Sequence, residues 1–146
     1  MSTARQLALL AWLSPAYPVG AYAYSHGLEW AVEAGDVRDR VTLCGWIEDL
    51  LRHGSGRNDA ILFAAAWRAA REDAAQLAGL AELALALAPS RERRLESQQQ
   101  GAAFLAATRA AWPHPLIESF AQAAGENIAY CIVFAVAAAA HDLDLR

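Results

Sequence analysis

The chain has 146 residues and a formal net charge of −4, and all twelve of its basic residues are arginine. That charge argues against a broad nucleic-acid surface, and the length suits a single domain with one core. Alanine makes up about a quarter of the chain, while isoleucine, valine and threonine are sparse and scattered. No stretch alternates as a half-buried strand would, so residues 1–146 read as an all-α, single-domain bundle of about eight helices. Cys44 and Cys131 lie far apart in apolar helical stretches and read as buried, reduced thiols. Leu7 to Leu13 looks like a short signal-peptide core, but the charged start is minimal and no clean cleavage site follows, which favours a cytoplasmic protein. Ile128 to Ala140 is too short an apolar run to span a bilayer.

Thr3 can cap a first helix to about Leu13, with Leu7, Leu10 and Ala11 on one side. Ser14-Pro15 ends it, because proline pushes the preceding residue out of helical geometry. Pro18 and Gly20 keep the next residues irregular. A second helix is expected from about Tyr22 to Ala34. Its apolar stripes are Tyr24, Leu28, Ala31, Val32 and Ala23, Gly27, Trp30, Ala34; its polar stripe is Tyr22, His26, Glu29, Glu33. Asp36 or Asp39 can cap a third helix that buries Leu43, Ile47, Leu50 and Leu51. Asn58 or Asp59 can cap a fourth, through Arg71, near the centre of the core. A fifth covers Glu72 to Ala88 and stops at Pro89. Ser90 can cap a sixth, Arg91 to Ala111, interrupted at Gly101. Its first half has only Leu95 as an apolar residue, a pattern that suits a helix wetted or partnered nearly all round. A seventh helix spans about Leu116 to Ala124, and after Gly125 an eighth runs from Glu126 to near His141.

The densest chemistry lies in Ser14 to Glu29. His26 and Glu29 stand three apart, as in a carboxylate–histidine metal site, but no matching pairs occur on other helices and a hydrogen-bonded surface pair is the simpler reading. Ser25 and His26 are adjacent and do not face each other on a helix, and no acid is placed to orient the imidazole, so no catalytic residue is assigned. No phosphate-binding glycine loop is present. Tyr17, Tyr22 and Tyr24 fit either a core role or a rigid recognition surface.

The run Leu13-Ser14-Pro15-Ala16-Tyr17-Pro18-Val19-Gly20-Ala21-Tyr22-Ala23-Tyr24-Ser25-His26-Gly27-Leu28-Glu29 resembles the urease accessory protein F (UreF) family. Trp46 with Leu50-Leu51 and Gly54, then Asn58-Asp59-Ala60, and Ser90 to Gly101 extend the resemblance. It implies an all-helical, cytoplasmic, non-enzymatic adaptor that forms homodimers. Its implied partners are a nickel-carrying GTPase (UreG), a scaffold protein (UreD, also called UreH) and apo-urease, with no nucleic acid and no membrane. It implies no resident cofactor or metal site, nickel passing only transiently through the complex. On this reading Pro18, Gly20, Tyr24, Ser25, His26 and Glu29 present one recognition surface, and Arg94, Glu96 and Gln100 add polar contacts. The alternatives are a nickel-binding metallochaperone using His26 and Glu29, or a small helical hydrolase using Ser25 or His26. The family continues with further C-terminal helices and a tail rich in Arg, Gly and Gln that this chain lacks. The eighth helix is therefore expected to expose Ile132, Val133, Phe134 and Val136 unless another chain covers them.

Overall fold

The eleven residues Tyr130–Ala140 contain no charged side chain. A helix that is apolar on every side has no face to offer water and belongs in the middle of a bundle. In the computed structural model, which describes residues 3–21, 27–126 and 128–145, that is where it lies. The described residues form eight helices and no strand: α1 (Thr3–Trp12), α2 (Leu28–Glu33), α3 (Arg40–Arg52), α4 (Ser55–Glu72), α5 (Leu77–Ala86), α6 (Arg91–Ala111), α7 (Pro115–Ala124) and α8 (Tyr130–Ala140). The all-α expectation holds. α4 and α6 enclose α8 along most of its length, and α5 and α7 close the remaining sides.

This placement corrects the expectation for the eighth helix. Ile132, Val133 and Val136 are fully buried, and Phe134 packs 5.3 Å from Phe104 and 5.6 Å from Phe63. Four surrounding helices, rather than a second chain, cover them. Each such aliphatic side chain contributes about 1.5–3 kcal/mol by leaving water. The alanines of Ala135–Ala140 let the neighbouring helices approach closely.

Gly101 shows how close that approach is. α6 runs through it without a break, contrary to the expected interruption. A Cβ at Gly101 would lie 2.4 Å from the carbonyl oxygen of Ile128 and 3.0 Å from the amide nitrogen of Tyr130. The glycine is there because the backbone entering α8 crosses α6 at that point.

Several helix starts and stops differ from the sequence pattern for local reasons. Gly27 has a left-handed backbone (φ 81°) and caps α2, so the second helix does not run through it. Asp39, rather than Asp36, caps α3 in a reciprocal box with Thr42. α4 begins at Ser55, before Asn58 and Asp59, which sit inside the helix instead of capping it. Asp73 leaves helical geometry (φ −153°, ψ 84°) and its carboxylate accepts from the amide of Ala75, dividing the expected fifth helix into the end of α4, a 3₁₀ turn and α5. The expected α6 cap is found, with the Ser90 hydroxyl accepting from the amide of Arg93.

Two helices turn a different face inward from the one the leucines suggested. In α1 the buried residues are Ala8 and Trp12, while Leu7 and Leu10 are 61% and 70% exposed. Trp12 decides this, because its large ring meets Phe104, Trp112, Phe134 and His141 edge-on at 5.6–6.0 Å. α3 buries no residue at all. Of its expected core face, Leu43 and Leu50 are half-buried and Ile47 and Leu51 are exposed. It leans on α4 through the tight turn at Gly54 and Gly56, where a Cβ would meet the carbonyl oxygen of Leu50 at 3.0 Å.

Candidate partner-binding site

The loop after α1 is anchored on the core by Tyr17, with Val19 packed beside it. Tyr17 is buried, its ring 5.3 Å from Phe104 and 6.2 Å from Trp112. Its hydroxyl lies 2.8 Å from that of Thr108, which is itself fully buried in α6. Burial pushes the Tyr17 phenol above its ordinary range, and the Thr108 hydrogen bond opposes that shift. Tyr17 is thus a core residue. On either side of this anchor the backbone folds tightly, with the Tyr17 amide donating to Ser14 and the Val19 amide donating to Tyr17. Pro18 and Gly20 stand exposed beyond it. Gly20 has φ 71°, which glycine adopts without strain. Tyr22, Tyr24, Ser25 and His26 lie outside the described residues. Glu29 is exposed in the first turn of α2 and, with Leu28, Val32 and Glu33, lines a shallow surface depression.

The sixth helix behaves differently from its pattern. Arg94 is exposed, but Glu96 and Gln100 are buried, and Leu95 is half exposed. The helix is not wetted all round: its one apolar residue in this stretch faces water and two of its polar residues face inward. The reason is the approach of α8. The Ser97 hydroxyl accepts from the amide of Tyr130, one of the otherwise unsatisfied donors at the start of α8. Glu96 accepts from Arg93 and from the Gln100 amide at 3.0 Å. A buried carboxylate needs such partners. Glu96 and Gln100 are therefore packing and hydrogen-bonding residues of an internal seam, reachable only along a cleft.

That cleft joins sequence segments that lie far apart. One cavity of about 220 Å³ lies between the α3–α4 turn and the α5–α6 turn, where Asn58, Asp59, Arg93 and Ser97 meet. A second, of about 170 Å³, shares Asp59, Arg93 and Ser97 with the first and is also lined by Glu96, Gln100, Tyr130 and Cys131. Burial, then the charge and hydrogen bond of Asp59, push the Cys131 thiol up to about 12. It stays protonated at any physiological pH and is not a nucleophile. Burial also raises the phenol of Tyr130. Sequence reasoning assigned Asp59 no role in such a cleft; the signal was its polar neighbour Asn58 near the start of a helix otherwise apolar on most sides.

Cys131 is buried as expected, but Cys44 is exposed on α3. There it borders an apolar depression with Ile47 and Leu51. Trp30 and Val32 of α2 and Val41 of α3 are also exposed, as are Leu7, Leu10 and Leu13 around α1. Among the described residues most of the exposed large apolar side chains therefore lie on or beside the N-terminal helices, others such as Ile61, Leu83, Leu87 and Leu95 lie on α4 to α6, and none is on α8. Among the described residues no group of three or more His, Cys, Asp or Glu side chains is placed to hold a metal ion. No helix there is long and apolar enough to cross a membrane.

Comparison with known proteins agrees with these motifs. The UreF family model matches residues 37–146. The urease accessory protein UreF of Methylorubrum populi is 58% identical over 136 residues, covering 92% of this chain and 61% of that protein. That of Methylobacterium radiotolerans is 56% identical over 138 residues, covering 94% and 60%. That of a Rhodopseudomonas palustris strain is 48% identical over 138 residues, covering 94% and 58%. The chain thus spans about 60% of the length of these relatives. With three quarters of its residues matched by the family model, the chain belongs to the UreF family.

Proposed function

We propose that this chain is an adaptor in urease maturation, bridging a nickel-carrying GTPase (UreG) and a scaffold protein (UreD or UreH) during nickel insertion into apo-urease. Family membership carries this reading, because the matched relatives are named urease accessory proteins. The structure supplies surfaces suited to it: a rigidly anchored loop presenting Pro18 and Gly20, Glu29 beside it in sequence, and exposed apolar residues on α1, α2 and α3. A preformed loop loses little entropy on docking. Its chemistry is recognition rather than catalysis, nickel passes through the complex without a resident site here, and the protein works in the cytoplasm as a homodimer. Tyr24, Ser25 and His26 complete the recognition surface on this proposal, and Arg94 adds a contact from α6.

The test is size-exclusion chromatography with light scattering on the chain alone and mixed with its cognate scaffold and GTPase. Co-elution at a defined stoichiometry, weakened by a Pro18→Ala, Glu29→Ala double change that leaves helicity intact, is expected. Failure of the folded chain to co-elute with either protein would remove the adaptor role from this part of the family fold.

A further inference from the structure

The end of α8, the start of α7 and the turn between α6 and α7 meet at two histidines. His114 caps α7, its Nδ1 accepting from the Leu116 amide at 3.2 Å. An amide can only donate, so Nδ1 carries no proton and the ring's proton is on Nε2. His141 stands at the C-terminus of α8, with its Nε2 3.2 Å from the carbonyl oxygen of Trp112. A carbonyl can only accept, so that nitrogen donates. The two rings lie 5.7 Å apart, and both are half-buried, within reach of water. The same turn supports the recognition loop. The Trp112 ring is 6.2 Å from Tyr17, the anchor of that loop, and 5.9 Å from Trp12 at the end of α1. His141 also packs on Trp12, at 5.6 Å.

The two histidines answer a second proton differently. On His141 it leaves the bond to Trp112 intact and puts a cation at a helix C-terminus, where the dipole favours it. On His114 it must go to Nδ1. There it turns the cap acceptor into a donor facing the Leu116 amide, and it puts a cation at the N-terminus of α7, the end that repels it. The neighbouring charges are engaged or in water. Arg109 of α6 pairs with Glu118 of α7, and Asp142, next to His141, pairs with Arg5 of α1 and Arg71 of α4. Glu72 of α4, Glu82 of α5 and Asp144 beyond α8 are exposed. We infer that His114 makes the recognition loop acid-sensitive. Its protonation uncaps α7, loosens the turn at Trp112 and weakens the hold of Tyr17 on the loop bearing Pro18 and Gly20. The inference rests on the adaptor reading for its purpose, since partner docking through that loop then weakens on acidification.

An acid titration of the ¹⁵N-labelled chain by NMR, from about pH 8 to about pH 5 where histidine changes charge, tests the inference. Protection of the Leu116 amide, corrected for intrinsic exchange, should fall about fivefold, the loss expected for one helix cap. The Val19 and Gly20 amides should shift through the same step. His114→Asn keeps an acceptor at the cap but takes up no proton, and should abolish both changes at unchanged helicity. His141→Gln keeps a donor for the Trp112 carbonyl and should leave both in place. Four results would overturn the inference: no step at Leu116, a step there without one at Val19 and Gly20, a step that survives in His114→Asn, or a step lost in His141→Gln. Co-elution with the scaffold and GTPase at the alkaline end is read separately. A chain that shows the steps but does not co-elute there keeps its acid-sensitive loop and loses the adaptor role; a chain that co-elutes without the steps does the reverse.

Discussion

At Gly101 a single hydrogen in place of a methyl group decides whether α6 and the start of α8 can touch. Gly101→Ala should cost about 2–3 kcal/mol, because the atom it would strike is backbone and cannot swing aside. Chemical denaturation would show this as a lower midpoint with an unchanged slope. Asp142 is the reverse case, a side chain kept in spite of its backbone. It ends α8 with φ 54°, and its carboxylate bonds both Arg71 of α4 and Arg5 of α1 at 3.0 Å. Asp142→Gly relieves the left-handed backbone while losing both ion pairs; Asp142→Ala loses the pairs and keeps the strain. The glycine variant should therefore be the more stable of the two by about 1 kcal/mol, read from paired denaturation curves. Equal stabilities would mean that the backbone at residue 142 is not strained.

Between helices, the contrast is between α8 and α3. Both are rich in apolar residues, yet α8 is enclosed and α3 buries none. Ile132→Ala should cost about 2–5 kcal/mol, whereas Ile47→Ala should change stability by less than about 0.5 kcal/mol. Thermal unfolding of the two variants side by side gives the answer. A large loss at Ile47 would show that α3 is packed against something in solution. The helical pattern of α3 was legible and so was Asp39 as one of two candidate caps, but its burial was not, because periodicity shows that a helix has an apolar face and does not show whether another element reaches it. In α6, the buried pair Glu96 and Gln100 was hidden by the same limit. Their spacing of four marks one face of the helix, and only the crossing of α8 makes that face the inner one.

For the whole molecule, ion pairs between distant segments set the response to acid. The Arg71 hydrogen bond, aided by the charge of Arg5, holds the Asp142 carboxyl below its ordinary value, and the Arg109 hydrogen bond does the same for Glu118. A carboxylate with a lowered folded-state value stabilises the fold fully above its ordinary range near about 4. That contribution is lost as pH falls through the lowered value. Stability should thus drop on acidification below about pH 4, and Asp142→Asn should flatten that dependence in an acid titration followed by circular dichroism. The exposed leucines of α1 bear on assembly. If the homodimer proposed above uses that surface, Leu7→Arg with Leu10→Arg should shift the chain toward monomer by light scattering at unchanged helicity. An unchanged mass would place the contact elsewhere.

Composition and periodicity were enough to establish an all-helical chain, most of its helix positions, the Ser90 cap and the family motifs, because these depend on local propensity and on residues close in sequence. What they left open was which faces meet. Trp12 rather than Leu7 and Leu10 anchors α1, α8 rather than α4 is the helix enclosed on all sides, and Asn58-Asp59 joins Glu96 and Cys131 across one cleft. Those outcomes depend on long-range packing, where the largest ring and the closest backbone crossing win, and neither can be read from spacing along a single helix.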